Sequence, residues 1–439
     1  MRPAMWLSRR GVWVLLILCA LLALSSIVPL ALVLVALTAL AATVTVIADL
    51  RIGPSGEQLR LQRSHGPYAA LDRADALDYT FENRCGSSLH IELAEAPVER
   101  VAFEDGTSLV APAHSVLTFT NRFVAYERGP ARFSAVYARV RNDVGMLERR
   151  FFSCAPLEIH VYPDFSAVEG YGTLARRSTL LETGLRKLRL RGAGTEFESL
   201  REYAAGDAFR TIDWKATARR GRLMVAQYDV ERSQNLLIGL DAGRLMTPRI
   251  GRRRKFDYAL SAGLSVARVA QIAGDNVGLV AFAGRTLREV PPHRGLSHHA
   301  ALVRAVYDLQ PRMEEPDYEA FAAHVRRRYA KRSLVVIFTD LFDPAASQAI
   351  LGSIAVLSGR HLVMCIFMND ASISDAVSQE PHDIPSAYRF ATAVRLEEER
   401  QSAIAALQAR GVIVVDAAAQ RLTVALLDAY LDVKARSLL

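Results

Sequence analysis

The chain has 439 residues, 51% of them apolar, and a formal charge of +8. That length allows two or three domains. The four cysteines, Cys19, Cys85, Cys154 and Cys365, contain no C-x-x-C pair, which argues against a zinc ribbon or a redox dithiol. Only five of the 54 basic residues are lysine, so the positive charge is nearly all guanidinium. That group suits bidentate recognition of carboxylate or phosphate and is equally what an arginine-biased codon usage produces.

The apolar excess sits at the N-terminus. Val12 to Ala48 is a run of 37 residues without a charge. One spanning helix needs about 20 residues, so the run is too long for one span and fits two short ones, with Ser25, Ser26 and Pro29 at the turn. A cleaved signal or a single span is the competing reading. Arg2, Arg9 and Arg10 precede the run and Arg51, Arg60 and Arg63 follow it. Basic flanks stay on the cytoplasmic side, and only a hairpin lets both do so. Residues 1–52 are therefore expected to form a transmembrane hairpin with two spans, contacting lipid through residues 12–48, and the bulk of the chain is expected in the cytoplasm. Cys85 and Cys154 would then be free thiols.

Residues 53–165 alternate polar and apolar positions in L-D-Y-T-F-E-N, L-H-I-E-L-A-E-A, V-L-T-F-T-N-R-F, A-R-F-S-A-V-Y-A-R-V and L-E-I-H-V-Y-P. Short period-two runs with turn residues between them predict an antiparallel, immunoglobulin-like sandwich. Nothing in it has a chemical look, and a structural or docking role is the simplest reading.

Residues 166–232 read as a charged helical connector. Thr195 and Glu198 have capping-box spacing for a helix from about Glu196, with Phe197, Leu200 and Tyr203 on one face. Gly206 can end that helix and Asp207 can cap a second, in which Arg210 and Asp213 are three apart and Trp214 offers a large apolar contact. Gly221 then turns the chain into a strand, L-M-V-A-Q-Y-D-V-E. The segment serves either as a connector or as a recognition surface for a protein partner. Arg201, Asp207, Arg210, Asp213 and Trp214 are the partner-binding candidates, because arginine and aromatic residues dominate interface hot spots.

From residue 233 to 439 continuous apolar runs alternate with helix-like stretches. The runs are N-L-L-I-G-L-D (235–241), V-G-L-V-A-F (277–282), S-L-V-V-I-F-T-D (333–340), H-L-V-M-C-I-F (361–367) and G-V-I-V-V-D-A (411–417). Helices are expected near 255–273, 297–309, 317–331, 345–358, 395–409 and 418–433. This pattern predicts a mostly parallel, Rossmann-like α/β sheet covered on both faces.

The stretch Glu196–Arg219, with G-D-x-x-R-x-I-D-W, resembles the signature of the bacterial family Domain of Unknown Function 58. Tyr126-Glu-Arg-Gly129, the D-V-G-M-L run at 143–147 and Val161-Tyr-Pro163 fit the same resemblance. It implies a von Willebrand A-like α/β domain and a location in the bacterial inner membrane. It also implies a MoxR-type AAA+ ATPase partner, with other membrane or periplasm-linked von Willebrand A-type proteins as further partners. No reaction is implied.

Von Willebrand A domains often hold a divalent cation through D-x-S-x-S after the first strand, a Thr in a second loop and an Asp after the fourth strand. Asp241 and Asp340 match the two Asp positions, whereas Gly243 and Leu245 stand where both serines would be; Thr286 is a candidate for the Thr. Mg²⁺ suits such oxygen ligands, yet the degenerate motif favours a metal-free pair, with Arg244 close enough in sequence to neutralise it. There is no P-loop, H-E-x-x-H or G-x-S-x-G. His298 and His299 are adjacent and diverge on a helix. Arg252–Arg254 and Arg326–Arg328 are basic patches that could bind anionic lipid or nucleic acid; a solvated helix end is the favoured reading, because no aromatic except Tyr329 interleaves with them. The expectation is a non-enzymatic, membrane-anchored adaptor without cofactor. A Mg²⁺-dependent binding module using Asp241 and Asp340 is the alternative, and an enzyme with an unrecognised site is a third reading.

Overall fold

A computed structural model describes residues 4–25, 27, 31–104, 106–163, 196–204, 209, 212–229, 234–340, 344–369, 371–436 and 438 of the chain. They fall into two units, Met1–Tyr162 and Pro163–Leu439.

In the first unit a short strand, β1 (Ala4–Leu7), precedes two helices, α1 (Arg9–Ser25) and α2 (Ala31–Ile52), which pack on each other. Their leucines, valines and isoleucines are largely exposed. The hydroxyls of Thr38, Thr43 and Thr45 donate to carbonyls four residues back, at 2.8–2.9 Å, which satisfies them without water. Leu32–Ile52 is, among the described residues, the one helix long and apolar enough to cross a membrane.

The sandwich follows as β2 (Leu59–Ser64), β3 (Tyr68–Ala70), β4 (Ala74–Asn83), β5 (Leu89–Glu95), β6 (Val101–Phe103), β7 (Thr107–Ala111), β8 (Ser115–Ala125), β9 (Gly129–Asn142) and β10 (Leu147–Tyr162). One sheet runs β2-β4-β8-β6 and the other β1-β10-β9-β5-β7, with β3 parallel to β10. The alternation read from the sequence puts Leu77, Phe81 and Phe123 of one sheet against Ile91, Phe133, Val140 and Ile159 of the other. Two features depart from the sequence reading. Residues 4–7, assigned to the hairpin segment 1–52, hydrogen-bond to β10 as a strand of the sandwich. Arg63, counted as a membrane flank, is buried and paired with Glu95 at 2.5 Å, so its charge belongs to the sandwich interior.

In the second unit the described part of the 166–232 connector is a two-stranded ribbon, β11 (Glu196–Glu202) and β12 (Met224–Asp229), enclosing one short helix, α3 (Trp214–Arg220). The helix expected from Glu196 is therefore a strand. A bulge between Phe197 and Ser199 sets positions 197 and 200 opposite 228 and 226. An i, i+3 apolar spacing fits a bulged strand as well as a helix.

The sheet contains β13 (Asn235–Asp241), β16 (Asn276–Phe282), β17 (Thr286–His293), β18 (Ser333–Phe338), β19 (Leu362–Asn369) and β20 (Ile413–Ala418); a minimal ribbon, β14 (Arg249–Ile250) with β15 (Arg253–Arg254), lies between β13 and β16 in sequence. The order is β17-β16-β13-β18-β19-β20, parallel except for the edge strand β17. Pro291 and Pro292 had hidden that strand from a propensity reading, and an edge is where proline is tolerated. Helices α4 (Lys255–Ile272), α5 (Leu296–Val306) and α10 (Leu422–Ala435) pack together, whereas α6 (Tyr318–Arg328), α7 (Pro344–Ser358) and α9 (Ile384–Gln408) cover the face presenting Leu237, Val335 and Ile337; α8 (Ala371–Ser378) precedes α9. α9 begins eleven residues before the expected 395, at a capping box formed by Asp383 and Ser386 with Pro385 in the first turn.

Candidate functional site

The sheet order reverses at β13, with β16 on one side and β18 on the other. In open α/β sheets the crevice at the carboxyl ends of such strands is where ligands bind, and Asp241 and Asp340 lie there. Both are essentially inaccessible, at 0 and 1% exposure. Asp241 Oδ1 accepts the Gly243 N–H at 2.7 Å, and Oδ2 faces the hydroxyls of Tyr318 and Thr339 at 3.0 and 2.7 Å. Burial pushes the Asp241 carboxyl up to about 6 against these hydrogen bonds, and the nearby Asp340 charge adds to the rise.

Asp340 has a different environment. Its Oδ2 accepts from Lys255 Nζ at 2.5 Å and its Oδ1 from Arg400 Nη1 at 3.0 Å; Arg400 Nη2 goes on to Asp416 at 2.6 Å. Lys255 opens α4 and is 1% exposed, Arg400 lies on α9, and Asp416 is on β20. The expectation that Arg244 neutralises the aspartates needs correction, because Arg244 pairs with Glu315 at the surface. The buried counter-charges come from Lys255 and Arg400, residues 85 and 60 positions from Asp340 in sequence. Thr286, the candidate hydroxyl, is exposed on the edge strand. The hydroxyls that do reach Asp241 belong to Tyr318 and to Thr339, the latter inside the F-T-D run whose aspartate is the predicted ligand. A side chain at 243 is excluded: a Cβ there would lie 2.8 Å from the Glu314 carbonyl oxygen and 3.0 Å from Asp241 Oδ1.

The signature segment contributes an exposed surface. Asp213 is the N-cap of α3, accepting the N–H groups of Lys215 and Ala216 at 3.0 and 2.9 Å, and Gly221 ends the helix at φ 63°. Asp213, expected inside a helix, is thus the residue that starts one. Trp214, read as an apolar packing contact, is 65% exposed, and Phe209 is 74% exposed beside Tyr203. Lys215, Arg219, Arg220 and Arg222 are exposed in the same stretch, as is Arg201, with Glu202 pairing Arg222 at 2.8 Å. Asp207 and Arg210, like Thr195 and Gly206, lie outside the described residues.

The ends of the apolar helices are built into the sandwich. Ser8 caps α1 by accepting the Gly11 N–H at 3.1 Å; its own N–H donates to Met146 O at 3.0 Å and its hydroxyl to the Gly145 carbonyl. At the far end of α2, Asp49 is fully buried and accepts the N–H groups of Met146 and Leu147, both at 2.8 Å, together with Asn142 Nδ2 at 3.0 Å. Both helix ends therefore grip the turn between β9 and β10. A Cβ on Gly53 would be 1.8 Å from Arg149 Nη1, so a larger residue there would displace the guanidinium from Asp49. The D-V-G-M-L run noticed in the sequence is this turn.

Comparison with known proteins matches residues 199–375 to the family model described as a protein of unknown function, DUF58. The chain is 25% identical over 181 residues to the uncharacterized protein Rv1480 of Mycobacterium tuberculosis, covering 41% of this chain and 56% of that protein. It is 23% identical over 265 residues to the uncharacterized protein YeaD of Bacillus subtilis, covering 59 and 62%. The chain thus spans roughly three-fifths of the length of the curated relatives it matches. Among solved structures, the SpRpn10 VWA domain aligns with 45% of this chain and 95% of its own at 9% identity and a TM-score of 0.28. A PapD-like domain of human CEP192 aligns with 24 and 84% at 9% identity and a TM-score of 0.18. Lys255, Tyr318, Thr339 and both aspartates fall inside the DUF58 match; Arg400 and Asp416 lie beyond it.

Proposed function

With residues 199–375 a DUF58 module, we propose that the chain is a membrane-anchored, cytoplasm-facing docking protein without enzymatic activity, its α/β unit von Willebrand A-like and its sandwich immunoglobulin-like. The observation that carries the docking role is the solvent exposure of Trp214 and Phe209 amid Lys215, Arg219 and Arg220. Large aromatics left in water beside guanidinium groups are the composition of an interface centre. The surplus of positive charge favours a partner with an acidic face. A MoxR-type AAA+ ATPase is the partner proposed, with the chain anchoring that ATPase or its client at the inner face of the bacterial membrane.

The anchor is proposed to cross the membrane twice. β1, before α1, and Asp49, at the end of α2, are both hydrogen-bonded to β10 or to the turn leading into it. Two ends held by one folded domain emerge on one side of a bilayer, which requires an even number of crossings. Arg9, Arg10 and Arg51 are exposed at those ends, and the positive-inside rule puts them in the cytoplasm.

Co-purification from solubilised membranes tests the docking role. The wild-type chain should retain the ATPase, and Trp214→Ala or Arg219→Glu/Arg220→Glu should release it while melting as the wild type does. Retention by every variant sinks the interface. The alternative, a Mg²⁺-dependent binding module using Asp241 and Asp340, predicts that EDTA releases the partner; turnover of a substrate by the purified chain alone would instead make it an enzyme.

A further inference from the structure

The resemblance to von Willebrand A domains implies a divalent cation at the carboxyl ends of β13 and β18. The residues there do not fit one. We propose that this crevice is closed from within by a lysine–arginine pair, with the Lys255 ammonium and the Arg400 guanidinium supplying the charge that a metal supplies elsewhere. The unit is then indifferent to divalent cations. This inference concerns the fold of the α/β unit and holds whether or not the chain docks a partner.

Four observations carry it. First, both oxygens of Asp340 already face cationic donors, Lys255 Nζ at 2.5 Å and Arg400 Nη1 at 3.0 Å. A dication between the aspartates would be forced against two fixed positive charges in a desolvated site, where repulsion is screened least. Second, both oxygens of Asp241 are occupied, one by the Gly243 N–H and the other by the Tyr318 and Thr339 hydroxyls, which stand 2.7 Å from each other. Mg²⁺ needs six oxygen ligands at about 2.0–2.1 Å. Third, the position two residues after Asp241 has no room for a serine, because a Cβ on Gly243 meets the Glu314 carbonyl oxygen at 2.8 Å. The next ligand position is Leu245, an apolar side chain that is itself buried. Fourth, Asp241, Asp340 and Lys255 are at most 1% exposed, leaving no face open to water, which Mg²⁺ surrenders reluctantly.

The internal cations also have a structural consequence that a bound metal would not have. Lys255 opens α4, Arg400 projects from α9, and Asp416 sits on β20. The pair therefore ties two helices from distant parts of the chain, and the last strand, to the sheet ends through Asp340. A metal held only by the loops after β13 and β18 would leave α9 untied.

The test uses the full chain in detergent or a bilayer disc. Mn²⁺ added to excess protein should keep the electron-spin-resonance signal of the free ion, and the melting temperature should be the same in Mg²⁺ and in EDTA. Lys255→Met and Asp340→Asn should each lower the melting temperature by on the order of 10 °C. Lys255→Met/Asp340→Asn together should cost clearly less than the two single losses added, since each single change strands a charge that the double removes. Saturable Mn²⁺ binding to the wild type, abolished by Asp241→Asn, overturns the proposal, and needs no variant beyond one that removes a single charge. Strict additivity of the two substitutions overturns it as well.

Discussion

Arg149 holds Asp49 by two bonds of different kinds: Nη1 donates to the carboxylate Oδ1 at 3.1 Å and Nη2 to the backbone carbonyl of the same residue at 2.7 Å. The side chains are 3 and 0% exposed. One guanidinium thus binds both the charge and the last turn of α2, at a carbonyl that also accepts the Gly53 N–H at 2.9 Å. It joins the apolar helix to the first residues of β10.

Because the pair is buried, removing one partner leaves an uncompensated charge. Arg149→Ala should destabilise the first unit by about 3–5 kcal/mol, measured by denaturant unfolding of the detergent-solubilised chain. Arg149→Lys should recover only part of that, since an ammonium cannot reproduce the fork. An alanine variant unfolding with wild-type stability would show that the junction contributes nothing.

The shared attachment of both helix ends makes a topological prediction. A fluorescent protein fused after Leu439 should fold and glow in cells, and alkaline phosphatase at the same point should be inactive, as for a cytoplasmic C-terminus. The reverse pair of results would put the folded units outside the cytoplasm and overturn the orientation drawn from the basic flanks.

The two sheet-end aspartates should respond differently to the same isosteric change. Asp340→Asn leaves Lys255 and Arg400 facing an amide and should cost about 3–5 kcal/mol. Asp241→Asn keeps an acceptor for the Gly243 N–H, and the Tyr318 and Thr339 hydroxyls can rotate to accept, so the loss should stay near 1 kcal/mol or below. Equal losses from the two substitutions would mean that the counter-charges do not discriminate between them.

Acid should weaken the second unit through His299. This residue, on α5, is 7% exposed, and burial, reinforced by the nearby Arg268 and His298 charges, lowers it from 6.5 to about 4. A histidine whose folded value is depressed is preferentially neutral in the native state. Its contribution is intact above pH 6.5 and is lost as pH falls from about 6.5 towards 4, by on the order of 2–3 kcal/mol. His299→Leu should flatten the unfolding free energy across that window. A variant with the full wild-type acid dependence would remove His299 as the cause.

Trp214→Ala should change stability by no more than about 0.5 kcal/mol, because the indole is 65% exposed. A large loss by calorimetry would make the tryptophan a scaffold residue after all.

The sequence by itself determined what depends on composition and period. The uncharged run became two helices, β13 has the limits read from N-L-L-I-G-L-D, and alternation marked the sandwich strands, because burial of one face or both writes itself into consecutive residues. It also located Asp241 and Asp340 at strand ends. What it could not supply was anything resting on residues far apart in the chain or on a local ambiguity. Phe197 and Leu200 suit a bulged strand as well as a helix, and only pairing with β12 decides between them. Arg244 looked like a counter-charge because it is near in sequence, whereas Lys255 and Arg400 are near in space. Arg63 looked like a membrane flank until Glu95 took it into the sandwich. A buried charge must find its partner wherever the fold brings one, and that choice is made by tertiary packing alone.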